Sequence, residues 1–246
     1  MDLASVILAT IAFALGGMLK GATGAGAPVV GVPVLALIFD VRFAVAVFAV
    51  PNLFSNIWQG WHFRAHQGSR RFVVRFAIAG AVGAGIGTFL LAWLSAEILM
   101  GTVAGIVLVY VAFRLLRPNW RLSANGADKL VFPAGLIGGA LQGAGGISAP
   151  VSVTFLNAIR LERSEFIATI TVFFTAMSIV QIPTLYGLGL LTGRTLIVSV
   201  LSTIPLFGFM PVGDWLARHV SKEVFDRLIL VLLIVIAIRL IYTAMT

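Results

Sequence analysis

Lys20, Asn52, Asn56 and Gln59 are polar side chains set in sequence apolar enough to lie inside a membrane. A lysine in such a place supplies positive charge, and amides supply hydrogen-bond donors without fixed negative charge. That is the chemistry of an anion site. Asn52, Asn56 and Gln59 fall at i, i+4 and i+7, on one helical face, with Ser55 adjacent. Thr171, Thr175, Ser178 and Gln181 form a similar set in the second half. Intramembrane polar groups face the bundle interior or a wet cavity, so both faces are expected to line an anion path. Interhelical hydrogen bonding is the plainer role open to them.

A second constellation is duplicated. Residues 20–29 read KGATGAGAPV and residues 142–151 read QGAGGISAPV, a gapless spacing of 122 in a chain of 246. Gly21, Gly24 and Gly26 in one block, and Gly143, Gly145 and Gly146 in the other, let backbone approach a ligand closely. Pro28 and Pro150 each follow an alanine where a helix would start, proline's favoured place. The leading amides of such a helix lack partners, and its dipole is positive at that end. Two helix starts facing each other at mid-depth would make a compact anion site, with Thr23 and Ser148 adding hydroxyls. Lys20 opens one block; neutral Gln142 opens the other. Close helix packing is the competing use of the glycines, and the run Gly80, Gly83, Gly85, Gly87 is expected to serve it. Lys20 follows a 17-residue apolar arm and could instead snorkel to an interface.

The elements that must position these residues are membrane helices. Apolar residues make up 60% of the chain, charged residues 11%, and the mean hydropathy is +1.06, where a soluble domain is about 25% charged. The expected fold is all-α and polytopic. The absence of cysteine excludes disulfides and thiolate chemistry. The +8 net charge is better explained by basic residues on one membrane face than by nucleic acid. Hydropathy gives units at 3–39, 43–62, 73–94 and 97–117, then 130–159, 165–187, 195–216 and 223–244. The polar stretch 118–128 links a first repeat, 1–117, to a second, 129–246. The first 19 residues have the apolar core of a signal peptide but no basic start, and are expected to stay as structure.

Residues 3–39 as one helix would run ~55 Å, against a hydrocarbon core of ~30 Å. Split at the glycine block, the arms are 3–19 and 28–39, and in the second half 130–142 and 150–159. A re-entrant or broken-helix hairpin fits, with its irregular backbone buried in protein. Basic residues arbitrate the topology. If both first units return to their own side, leaving three crossings per half and inverted repeats, 13 basic residues face the cytoplasm and 3 the outside. If all eight units cross, the division is 10 to 6. The positive-inside rule favours inversion. Gln59 falls opposite Gln181 at the same spacing of 122, whereas Ser95-Ala96-Glu97 meets its echo, Ser221-Lys222-Glu223, only after a shift of a few residues.

Absences narrow the chemistry. Asp40, Glu97, Glu162, Glu165 and Glu223 lie at span ends, and Asp214, the deepest acid, is expected near the cytoplasmic face. A carboxylate proton relay is not visible. No Walker A, nucleophile-elbow or HExxH motif occurs, so neither an enzyme nor a cofactor is expected. His62 and His66 are four apart but lack a third ligand, so no metal site is expected.

Eight apolar segments in two halves, each opened by an apolar arm and a G-x-x-G-x-x-x-P block (GATGAGAP, GAGGISAP), resemble the TauE/SafE family of sulfite and sulfonate exporters over essentially the whole chain. The resemblance implies movement of sulfite, sulfoacetate or another small organic or sulfur-containing anion across the cytoplasmic membrane, mostly outward. It places the substrate site at Gly21–Pro28 and Gly143–Pro150. Export of a monovalent anion from an inside-negative cell is downhill by ~2.3 kcal/mol per 100 mV and needs no midplane carboxylate. The expected mechanism is alternating access around the two hairpins. An anion channel, and a proton-coupled importer of a small carboxylate or oxyanion, are the alternatives. The expected partners are the anion and the bilayer, with monomer and homodimer both open.

Overall fold

In an apolar surround each backbone N–H and C=O must be bonded within its own segment, so long apolar runs fold as helices. The computed structural model describes residues 2–117 and 120–219, with the single positions Val231, Ile234, Val235, Ile238 and Tyr242. Among these residues the helices are α1 (Leu3–Thr23), α2 (Ala27–Ile38), α3 (Val41–His62), α4 (Arg70–Trp93), α5 (Ala96–Leu116), α6 (Ala124–Gly145), α7 (Ser152–Ile159), α8 (Arg163–Gly187) and α9 (Gly193–His219), with a short 3₁₀ turn at Arg64–His66. Six of them, α1, α3, α4, α5, α8 and α9, are long and apolar enough to cross a membrane. Apart from those single positions, the expected unit 223–244, with the echo at Ser221-Lys222-Glu223, lies outside the described residues.

Short polar side chains set the starts. Asp2, Asp40, Ser95 and Ser123 each accept a bond from the amide three residues on, satisfying an amide the helix leaves open. Ser123 thereby starts α6 within the stretch 118–128 that the sequence reads as linker. The first arms are also longer than expected, since α1 continues through Lys20–Thr23 and α6 through Gly143–Gly145. Both stop at a left-handed glycine: Gly24 at φ 76° and Gly146 at φ 70°. Such a conformation is costly for any residue with a Cβ. Their amides bond back to Lys20 O and Gln142 O at 2.7 and 2.8 Å.

Backbone meets backbone along two helix pairs. On α1, a Cβ at Gly17 or Gly21 would collide with the carbonyl of Leu206 or Met210 on α9, and one at Gly213 of α9 with Met18 O. On α6, a Cβ at Gly139 or Gly143 would collide with the carbonyl of Gly80 or Ala84 on α4, and one at Gly87 of α4 with Ala140 O. The contacts correspond one to one, with α1 and α6 offset by 122 residues and α4 and α9 by 126. The four extra residues therefore enter between Gln181, still at 122, and Leu206, at the end of α8 or in the 188–192 connection to α9.

The same contacts give directions. Phe13 stacks on Phe48 at 4.5 Å and Lys20 reaches Asn56, so positions rise together along α1 and α3. Gly60 lies beside Thr171 and Asn52 beside Ser178, so α3 and α8 are antiparallel. One apolar cluster joins Phe13, Leu35, Val47 and Val103; a second joins Phe76, Phe155 and Phe173. Pro51 has no N–H, which leaves Val47 O without its helical donor; the Ser199 hydroxyl on α9 donates to it at 2.7 Å.

Candidate functional site

Lys20 is 1% exposed. Its Nζ donates to Asn56 Oδ1 at 2.8 Å and lies 5.8 Å from the centre of the Phe174 ring. The amide of Asn56 donates to Asn52 O at 2.7 Å and to Asn52 Oδ1 at 3.0 Å, and Asn52 donates onward to Ser178 Oγ at 3.4 Å. This chain of polar groups crosses from α1 through α3 to α8 near the middle of both long helices. Among the described residues no carboxylate pairs with Lys20. A buried ammonium uses three donors and needs a counter-charge or several acceptors. Here one neutral oxygen is its hydrogen-bond acceptor.

A second pair of bonds repeats across the halves. Gln59 Nε2 donates to Lys20 O at 3.4 Å, and Gln181 Nε2 donates to Gln142 O at 3.3 Å. Each glutamine thus adds a donor to the carbonyl that already receives the capping glycine amide, tying the end of α1 to α3 and the end of α6 to α8. Gln59 Oε1 and Gln142 Oε1 are buried without a donor among the described residues. An unmet buried acceptor costs about 1–3 kcal/mol, so both atoms favour a ligand or solvent molecule that donates.

A family model described as "Sulfite exporter TauE/SafE" matches residues 8–240. The chain belongs to that family. No curated protein and no solved structure matches it. A transporter family and six apolar helices of spanning length make this a multi-pass membrane protein.

Within this TauE/SafE chain the expected site residues divide. Lys20, Asn52, Asn56 and Ser178 join in one hydrogen-bonded chain, and Gln59, Gln142 and Gln181 are buried beside the helix breaks. Thr175 is half-buried on α8, three residues before Ser178. The glycines mostly lie elsewhere. Gly21 and Gly143 are covered by the backbones of α9 and α4, so they bring helices together instead of exposing amides to a ligand. A Cβ placed on Gly145 would lie 3.3 Å from Val103 and Ile106 of α5. Gly26, at φ 100°, makes the turn into α2.

The hydroxyls bond in or beside their own blocks, and one of the two prolines departs from expectation. Thr23 donates to Leu19 O at 2.8 Å and also meets Ala25 O, while Ser148 Oγ pairs with Ser152 Oγ at 2.9 Å. Pro28 sits in the first turn of α2 as expected, but Pro150 lies in a turn two residues ahead of α7. Nor do the two blocks face each other. Gly24 packs on Ile167, one turn into α8, and Gly146 on Val45, one turn into α3. Because α3 and α8 are antiparallel, these are opposite ends of the pair. The polar centre lies between them, on Lys20 and the amides. Asn56 at i+36 from Lys20 was legible as a polar residue but not as its partner, since no spacing rule links two different helices.

Proposed function

We propose that this protein is a secondary transporter that exports a small sulfur-containing or organic anion, such as sulfite or a sulfonate, and that Lys20 is the centre of its anion site. The observation that carries the reading is a fully buried ammonium bonded to a neutral amide and, among the described residues, to no carboxylate. An oxyanion bound there supplies the missing charge, with Asn52, Asn56 and Ser178 offering further polar contacts. The orphaned Gln59 Oε1, whose amide nitrogen bonds Lys20 O, suits an anion that still bears a proton, such as hydrogensulfite.

We infer further that the halves are inverted repeats, each a hairpin followed by three crossings. The paired contacts at offsets of 122 and 126, the shared direction of α1 and α3, and the antiparallel α3 and α8 support this. Contacts also gather the basic ends on one face: Gly68 meets Glu165, Arg75 pairs with Asp128 at 2.6 Å, and Arg163 pairs with Asp214 at 3.1 Å. Arg42 sits at the opposite end, donating to Leu91 O, Ala92 O and Leu94 O at the close of α4. The positive-inside rule makes the basic face cytoplasmic. Alternating access then exposes the Lys20 centre to either side in turn.

A second reading rests on the same lone cation: Lys20 could itself lose and regain a proton, coupling anion movement to protons. Uptake of labelled sulfite, sulfoacetate, sulfate, acetate and chloride into proteoliposomes at clamped potential tests both. Saturable flux of one anion that reverses with potential is the expected result. Flux that requires a proton gradient establishes the coupled version, and absence of flux for every anion under both conditions overturns the anion site.

A further inference from the structure

A cleft of about 230 Å³ opens between the end of α5, the end of α7 and the segment entering α6, apart from the Lys20 centre. Arg114, Arg117 and Arg160 line it together with Thr154, Asn157 and Trp120, and among the described residues no acidic side chain does. Among the described residues no carboxylate pairs with Arg117 or Arg160. Thr154 Oγ1 is buried there without a hydrogen-bond partner among those residues. The like charges of Arg117 and Arg160 at one cleft repel each other, and a hydroxyl buried without a partner is unsatisfied. A multi-oxygen anion relieves both at once.

The chemistry of the lining narrows the anion. Guanidinium forks bind phosphate oxygens two at a time, and Thr154 and Asn157 add single donors. The volume is several times the ~30 Å³ that one water occupies in the liquid, room for a phosphate and part of an attached glycerol. Trp120 stands edge-on to Phe113 with ring centres 5.4 Å apart, an aromatic pair of the kind found at headgroup level. Leu122 N bonds Ala158 O at 2.9 Å, holding the entering segment against α7, and α7 leads through Arg160 to the basic end of α8. Basic pockets between helices on a cytoplasmic face bind anionic headgroups. We propose that this cleft binds the phosphate of a phosphate ester, the phosphodiester headgroup of an anionic phospholipid being its occupant in the membrane. The assignment does not depend on what Lys20 binds.

The test uses the full chain purified in mild detergent and incubated with equal amounts of phosphatidylglycerol and phosphatidylcholine. Native mass spectrometry counts the lipid retained, with inorganic phosphate and glycerol 3-phosphate as competitors. Preferential retention of phosphatidylglycerol is expected, with roughly a 30-fold loss of that preference in Arg117→Gln/Arg160→Gln. Arg121→Gln, which lies outside the cleft lining, should retain lipid like wild type. Displacement by the soluble phosphates would identify a free phosphate ester as the natural occupant, and resistance to displacement the lipid. Should the double variant fail to fold, Thr154→Val is read instead, with a smaller loss expected. Equal retention of the two lipids with no effect of soluble phosphate overturns the proposal. So does a folded double variant, or in its place Thr154→Val, that retains phosphatidylglycerol as wild type does.

Discussion

The break after α1 and the break after α6 use one scaffold with different contents. Both end in a left-handed glycine whose amide returns to the fourth residue before it, and both receive a glutamine from the long helix alongside. At that fourth residue one half has Lys20 and the other Gln142. Asn52 and Asn56 on α3 stand opposite Phe174 and Ser178 on α8, at the same spacing of 122. The helix after the break has 12 residues in the first half and 8 in the second. The scaffold is what both halves need in order to fold, and the charge is what one half adds. Positive charge and amides therefore gather on one side of the α3–α8 crossing, and an aromatic ring and a hydroxyl on the other.

The comparison is broken most severely by making the halves alike. Lys20→Gln gives both breaks the same residue, and labelled sulfite uptake in proteoliposomes is expected to fall about 10- to 100-fold, the loss of one charged hydrogen bond to the anion. Unchanged uptake would remove Lys20 from the site. Asn56→Asp keeps the shape but installs a carboxylate 2.8 Å from Nζ. That internal ion pair should occupy Lys20, cutting uptake by a similar factor while the melting temperature in detergent holds or rises. A variant that transports normally would mean the anion binds elsewhere.

The scaffold itself is sharpened by matched pairs. Gly21→Ala and Gly143→Ala each push a methyl group into a facing backbone, and each is expected to cost about 1–3 kcal/mol, read as a drop of several degrees in melting temperature. Similar losses would show that the two blocks serve packing equally, whatever their chemistry. Gln59→Leu and Gln181→Leu each remove one donor to a helix-end carbonyl, for about 1 kcal/mol apiece. A loss of uptake by Gln59→Leu beyond this stability cost would place its orphaned oxygen in the anion site. Smallest of all, Asp214→Asn breaks the partly exposed pairs to Arg163 and Arg218 and should change the melting temperature by no more than an effect of ~1 kcal/mol.

The spans were readable because hydropathy and length alone fix them. Units expected at 43–62, 97–117 and 165–187 agree with α3, α5 and α8 to within two residues. The two breaks were readable from glycine and proline. The depth to which each first arm continues was not, because a glycine permits a helix as well as a turn. Gly21 and Gly24 look equivalent in sequence, yet one sits inside α1 against α9 and the other ends it at positive φ. The offset of 126 was present only as a shifted echo, and contacts such as Gly213 on Met18 were needed to locate the insertion. The residues of the buried polar chain were recognisable as polar groups in apolar sequence. The Lys20–Asn56 bond was hidden because it depends on how α1 is rotated against α3.

Where glycine brings α1 to α9 and α4 to α6, main chain rests on main chain. No side chain stands between them to change rotamer or to let one helix slide a notch along the other. Each pair is mechanically a single beam. The α3–α8 crossing is different: ring edges, amides and hydroxyls make its contacts, and those can re-form after a small rotation. If the two beams tilt against each other, the bearing is at that crossing, and the buried lysine is mounted on it.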